Sequence, residues 1–289
     1  MSTPARRPDR FYLFTPPYRL PRPVHDLGTD ATDRSLRGAA LIWCLGTRID
    51  DAAFDAARYR PPGVPLLTVL PKTEEIVDPG ELLRMVEHCR PHGVVPFHRE
   101  PDPIDLRTLL REPPHDLAQA MVEYLGWRGL VLDPEMRQLI CRTVELSADI
   151  SSVSSLARGV YMSRRALGRA FLRDGLPVPS HWLHVSRLLR AALDIQWNGE
   201  TLMRAASRHG YPDGFALSNQ MKRLTGVRPS DVKAHIGWEW LFEAWIQYEI
   251  EAGGFGRDEL GALRRSLRGN GKRTGEPSDE VTDEGVASA

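Results

Sequence analysis

Cysteine is scarce in this chain: Cys44, Cys89 and Cys141 are all there is in 289 residues. An odd and widely spaced set gives neither a disulfide framework nor a paired-cysteine metal site, which points to a reducing compartment. Long apolar runs are missing as well. A membrane-spanning helix needs about 20 apolar residues, and the longest run, Gly38 to Leu45, is strand-sized. The opening MSTPARRPDR has no apolar segment of the secretory kind. Net charge is absent too, with 38 Lys+Arg against 38 Asp+Glu. That balance excludes a polybasic tail, a histone-like protein and an acidic disordered chain. What is present is ordinary: 42% hydrophobic and 8% aromatic residues suffice for a packed core. The expectation is a cytoplasmic protein of about two domains, with no membrane association.

The neutral total is made of unlike pieces. Residues 1–136 carry 17 basic and 20 acidic side chains, residues 137–235 carry 15 and 7, and residues 236–289 carry 6 and 11. A central block at +8 between acidic flanks is the electrostatic footprint of nucleic-acid binding. Four of the flanking acids, Glu239, Glu243, Glu249 and Glu251, sit on one stretch and are expected to temper non-specific attraction to DNA.

The organisation follows from periodicity. Residues 1–36, rich in Pro and Arg, read as an extended arm. Three short apolar runs, 39–45, 66–70 and 94–97, read as buried strands alternating with helices at 50–58 and 79–89. Leu82, Leu83 and Val86 mark the apolar side of the second helix. This gives a small α/β domain over 37–133, with further helices at 105–111 and 115–126. Three strands make a thin sheet, so either the domain is incomplete or a fourth strand lies in the arm. From Pro134 the strands stop and helices are expected at 135–148, 153–159, 163–173, 180–195, 201–209, 213–225 and 230–251. An aromatic helix occupies 236–252, and residues 253–289, poor in large apolar side chains, read as a disordered tail.

The basic block repeats itself at an offset of 50 residues. Leu167 matches Leu217, Phe171 matches Met221, Ser163 matches Asp213, and Pro179-Ser180 matches Pro229-Ser230; Ala157 and Ala206 hold equivalent small positions upstream. Each copy reads as helix, tight turn, N-cap, helix, the helix-turn-helix layout. The stretches LARGVYMSRRALGRAFLRDG (156–175) and AASRHGYPDGFALSNQMKRLTGVRPSDV (205–232) resemble the DNA-binding domain of the AraC/XylS family of bacterial transcription regulators. The second repeat carries the most specific part, with Ala206, Gly210-Tyr211, Lys222, Thr225-Gly226 and Pro229-Ser230 in register. The resemblance covers residues 137–235 and implies an all-α domain of seven helices. Its two helix-turn-helix units would be joined by one long helix, with two recognition helices entering successive major grooves of double-stranded DNA. Two features depart from the family: Tyr161 stands at a turn position usually held by glycine, with Gly159 two residues early, and Gly168 leaves a base-facing position bare.

Helical spacing puts Arg164, Arg165, Gly168 and Arg169 opposite the core side of the first recognition helix, and arginine pairs with guanine edges and with phosphate. The resemblance implies that Arg165, Gly168 and Arg169 face bases and Arg164 the backbone. On the second helix the exposed set is Gly214, Phe215, Ser218 and Asn219. Asn219 suits adenine, while Phe215 reads two ways, as a thymine-methyl contact or as a core residue. Phosphate contacts are expected from Arg187, Arg190, Lys222, Arg223 and Arg228.

The α/β domain reads as receiver-like, degenerate because no strand ends in a suitable lone Asp, and as the place for a small-molecule or protein effector or a homodimer contact. The face of Trp238, Leu241, Phe242 and Trp245 offers packing within the chain or a dimer surface. His88, Cys89, His92 and His98 do not make a convincing metal site, and no nucleophile elbow surrounds Cys44. No cofactor and no catalytic residue are expected. The leading reading is a sequence-specific DNA-binding regulator; a protein-interaction adaptor with a degenerate DNA-binding domain, or an enzyme with a DNA-targeting domain, are the alternatives.

Overall fold

The computed structural model describes residues 8–24, 36, 38–71, 78–96, 102–268, with the side chains of 264–268 outside the description. The sequence-expected His98 and Phe97 therefore fall outside it.

The N-terminal half is a mixed five-stranded sheet. Strands β1 (Arg10–Phe14) and β2 (Arg22–Val24) form a hairpin; β3 (Ala40–Cys44), β4 (Leu66–Val69) and β5 (Gly93–Val95) complete the order β2-β1-β3-β4-β5. The arm is thus not merely extended: its strands supply one edge, with Tyr12 opposite Ile42 and Pro23 in antiparallel register. β3, β4 and β5 run parallel, linked by α1 (Asp51–Arg58) and α2 (Pro79–Cys89). Both crossover helices lie on one face, where Phe54, Ala57, Met85 and Cys89 pack against Leu41, Trp43 and Leu66. The opposite face takes α3 (Pro103–Arg111), through Leu106 and Leu110. The receiver-like expectation finds no support in this topology. Such a sheet is all parallel with helices on both faces, whereas β1 runs antiparallel to β3. Of the acidic pair after β3, the Asp51 carboxylate pairs with Arg84 at 3.3 Å, while Asp50 is tied through its backbone N–H, which donates to Asp9 at 2.9 Å.

The helical half is one core. It contains α4 (Leu117–Trp127), α5 (Pro134–Leu146), α6 (Val153–Gly159), α7 (Arg164–Arg173), α8 (Pro179–Trp197), α9 (Leu202–Arg208), α10 (Gly214–Thr225), α11 (Pro229–Ala234), α12 (Glu239–Ala252) and α13 (Arg257–Arg268). Helix starts are written locally: Asp78, Asp102 and Asp133 each cap a first turn whose N1 residue is proline, where no amide hydrogen is needed. α4 packs into this core through Met121, Tyr124 and Leu125, although it lies within the 37–133 stretch expected to form the α/β domain. Three other expectations change. The single helix over 230–251 breaks at Gly237, whose φ of 79° is left-handed, separating α11 from α12. On α2 the buried stripe is Met85 and Cys89 with Leu82 against them, while Leu83 is 71% exposed. Within the stretch expected to be a disordered tail, α13 docks through buried Leu263, with Phe255 buried just before it, and residues 269–289 lie outside the described residues.

The aromatic helix packs inward. Trp245 of α12 meets Trp182 of α8 edge-on at 4.9 Å, Trp182 neighbours Phe171 of α7 at 6.4 Å, and Phe242 meets Tyr124 of α4 at 5.5 Å. That face is core and so is not a dimer surface. Its acids are also spent: Glu239 binds His92, Glu243 binds Arg128 and Glu249 binds His181. Only Glu251 of the four is exposed, so the tempering of DNA attraction expected from this helix lacks its charges.

The halves meet through buried polar contacts. The Ile236 N–H donates to the Tyr18 hydroxyl at 3.2 Å, and Tyr18 donates to the Gly38 carbonyl. His235 lies so close to Gly38 that a Cβ there would sit 1.8 Å from its ring. His92, at the head of β5, pairs with Glu239 at 2.8 Å. Burial alone would lower the His92 pKa, but the Glu239 carboxylate raises it above 6.5. Burial pushes Glu239 up, and His92 and Arg90 outweigh it, bringing the carboxyl down to about 2. The pair's stabilisation is therefore complete below the unfolded histidine value and lost as pH rises through the raised one. On the acid side it is present above 4.5 and lost toward 2. We expect the stability difference between wild type and His92→Gln, measured by urea unfolding, to be largest near pH 5–6 and to shrink in alkali. A difference that grows with pH would refute the charged pair.

Candidate nucleic-acid interface

Two helix-turn-helix units are present, and their turns match bond for bond. In the first, the Tyr161 N–H donates to Arg158 O at 3.1 Å and the Met162 N–H to Ala157 O at 2.8 Å; in the second, Gly210 donates to Ser207 O at 3.3 Å and Tyr211 to Ala206 O at 2.9 Å. Tyr161 therefore corresponds to Gly210, an offset of 49, and the second turn holds one extra residue, Pro212, before its cap. Ser163 Oγ accepts from the Ala166 N–H at 3.1 Å, and Asp213 Oδ1 from the Ala216 N–H at 2.7 Å. Tyr161 takes the left-handed conformation of its glycine counterpart, with φ 56° against 67°, while its side chain is 98% exposed. Tyr161→Gly relieves the strain of a Cβ in that region, ~1–2 kcal/mol, less the added entropy of a glycine, ~0.5–1 kcal/mol. A net gain of roughly 0.5–1 kcal/mol in denaturant titration is expected. A loss would mean that the exposed ring has contacts worth more than the strain.

Helix α7 is anchored by buried Leu167 and Phe171. Arg164, Arg165 and Arg169 are exposed and make no ion pair or side-chain hydrogen bond among the described residues. Gly168 has open space where a Cβ would be. The solvent face of α7 is thus three guanidinium groups around a bare position. Helix α10 is anchored by Leu217, Met221 and Leu224 and braced from behind by α12. Phe215 is 81% exposed, which excludes the core reading. Asn219, Lys222 and Arg223 are exposed and Ser218 half-buried. Gly214 departs from expectation: it is buried against α9, with Leu202 Cγ 3.5 Å from where its Cβ would stand.

Two expected phosphate contacts are corrected. Arg187, 7% exposed, donates two hydrogen bonds to the His209 carbonyl and lies over the Tyr211 ring at 4.6 Å. Arg190 donates to Ser147 Oγ at 3.3 Å and Val144 O at 3.0 Å. Both cations fasten the long helix α8 to its neighbours, Arg187 to the turn of the second unit and Arg190 to α5. Their hydrogen-bonding capacity is used inside the fold. Arg228 is exposed. Sequence reasoning missed Arg204 and Met203 of α9, both exposed; Met203 lies beside Gly214, and only the general basic excess hinted at Arg204.

Residues 156–235 match the family model described as "Helix-turn-helix domain". This region is an AraC-like helix-turn-helix domain, the DNA-binding part of a transcription regulator. The match takes in α6 through α11 and well under half of the chain. No curated protein and no solved structure matches.

The remaining candidates sit apart. His88 is half-buried with Nδ1 at Arg84 O, Cys89 is buried with Sγ 3.8 Å from Phe54 O, and His92 is taken by Glu239. No group of three or more His, Cys, Asp or Glu side chains converges among the described residues. Nor is any described helix long and apolar enough to cross a membrane.

Proposed function

We propose that the chain is a sequence-specific regulator that binds double-stranded DNA by placing α7 and α10 in adjacent major grooves. The observation that carries this reading is the face of α7: three exposed arginines with no partner among the described residues, on a helix anchored by Leu167 and Phe171. Guanidinium groups in that setting pair bidentately with guanine N7 and O6 or with phosphate. Arg165 and Arg169 are the base readers, with Arg164 near the backbone. Helix α10 is the weaker reader, its Asn219 on adenine and Phe215 against a thymine methyl, with Lys222 and Arg223 on phosphates. Asp213 sets a negative charge at its N-terminus, where the DNA backbone would approach.

The adaptor reading has one observation in its favour, the exposed apolar pair Met203 and Phe215 on the second unit. Selection from a random duplex pool, followed by affinity against salt, separates the two. A regulator enriches a motif and shows log affinity falling steeply with log salt, by about 0.9 per phosphate neutralised. An adaptor enriches nothing.

A further inference from the structure

Among the described residues, one face of the sheet is only half covered. Side chains alternate along strands, so Phe14, Tyr12 and Arg10 of β1 project to the side of α3, as do Ala40, Ile42 and Cys44 of β3. Leu106 and Leu110 of α3 cluster with Phe14, Ala40 and Leu67, and the helix begins at Pro103. Beyond that N-terminus, at the carboxyl ends of β3 and β4, lies a cavity of about 530 Å³. Ile42, Val69 and Tyr12 form its floor, while Pro21, Pro71 and Pro103 stiffen its rim. Arg10 is the cation among the described lining residues; it is exposed and makes no ion pair or side-chain hydrogen bond there. The carboxylate among the described lining residues, Asp102, caps α3, accepting from the Ile104 N–H at 2.7 Å.

We propose that this cavity binds a small molecule with a compact apolar body and a single anionic group, the body on Ile42, Val69 and Tyr12 and the anion at Arg10. Ligand pockets are apolar concavities of about 300–1,000 Å³ with a few polar groups that fix orientation. In open sheets they lie outside the carboxyl ends of parallel strands. The apolar floor, the proline-rich rim and a cation without an ion-pair partner among the described residues meet both conditions. Asp102 keeps its charge but holds it against the first turn of α3, where the helix N-terminus offsets it, while Arg10 has no such partner among the described residues, so an acidic ligand is favoured over a neutral one. The proposal does not depend on DNA binding and is measured without DNA.

The probes are adamantane-1-carboxylate and its neutral carboxamide, titrated by calorimetry into the full chain. Both are expected to bind saturably at one site, the carboxylate about fivefold tighter, as suits an exposed charge pair. Arg10→Gln removes that preference and leaves carboxamide affinity unchanged. Leu20→Asp, at the 74% exposed rim position, weakens the carboxylate several-fold and spares the carboxamide. Both substitutions are on exposed side chains, so an unchanged unfolding midpoint confirms that the fold is intact. Absence of saturable binding overturns the proposal. So does equal binding of acid and amide by the wild type, or an acid preference that survives both variants.

Discussion

Replacing Glu243 with alanine is expected to cost about 3–5 kcal/mol of folding stability, the usual consequence of stranding a buried charge. Glu243 of α12 accepts from Arg128 Nε at 2.9 Å and from Arg128 NH2 at 3.0 Å, and Arg128 is essentially inaccessible. The same carboxylate accepts from the Tyr124 hydroxyl at 2.9 Å, and Tyr124 in turn accepts from the Gly63 N–H at 2.8 Å. Arg128 also donates to Leu263 O at 3.1 Å. One carboxylate therefore ties the loop before β4, α4, α12 and α13 together. Burial first, then the Glu243 charge, holds the Tyr124 hydroxyl protonated well beyond its ordinary range, which keeps it a donor. Without Glu243 the Arg128 guanidinium keeps its burial and loses both fork bonds. Urea unfolding of Glu243→Ala should show the midpoint shift, and a loss below about 1 kcal/mol would mean that water enters to solvate Arg128. Glu243→Gln keeps the shape without the charge, so it should fall between the two.

That network was not legible in the sequence, and the reason is physical. Periodicity reports which side of a helix is apolar, and it placed Trp238, Leu241, Phe242 and Trp245 together on what proved to be a buried face. It carries no information on partners more than 100 residues away, which is where Glu243 finds Arg128. Arg187 and Arg190 failed in the same way, since spacing put them on the long helix while the carbonyls that consume them belong to other elements. The hairpin β1–β2 was hidden for a different reason. Phe11 and Leu13 pack on one face of the sheet while Tyr12 and Phe14 pack on the other, so the strand shows no alternation of polar and apolar residues. The helix-turn-helix units were legible because caps, turn residues and core positions are local and recur twice. Ser163 and Asp213 cap as expected, and even the anomaly at Tyr161 was visible as a non-glycine residue at a left-handed turn.

Arg169→Ala should reduce affinity for the selected DNA site by about 1–3 kcal/mol, roughly 5- to 150-fold, and relax specificity at one base pair. The prediction rests on placement: Arg169 is exposed, unpaired among the described residues, and two residues from the buried anchor Leu167, which puts it on the opposite side of the helix. Its removal takes nothing from the core, so stability should be unchanged and the loss confined to binding. Arg187→Ala is the informative control, because it is equally cationic but inward. It should lower stability by freeing the turn of the second unit, and the salt slope of DNA binding should stay the same, since no phosphate contact is lost. Lys222→Ala, on the exposed side of α10, should instead weaken binding uniformly across sequences and reduce the salt slope by about one. If Arg169→Ala behaves like Lys222→Ala, the guanidinium sits on phosphate and base reading passes to Arg165. If neither substitution alters affinity, neither α7 nor α10 enters a groove. The adjacent-groove geometry would then have to be abandoned while the helix-turn-helix fold stands.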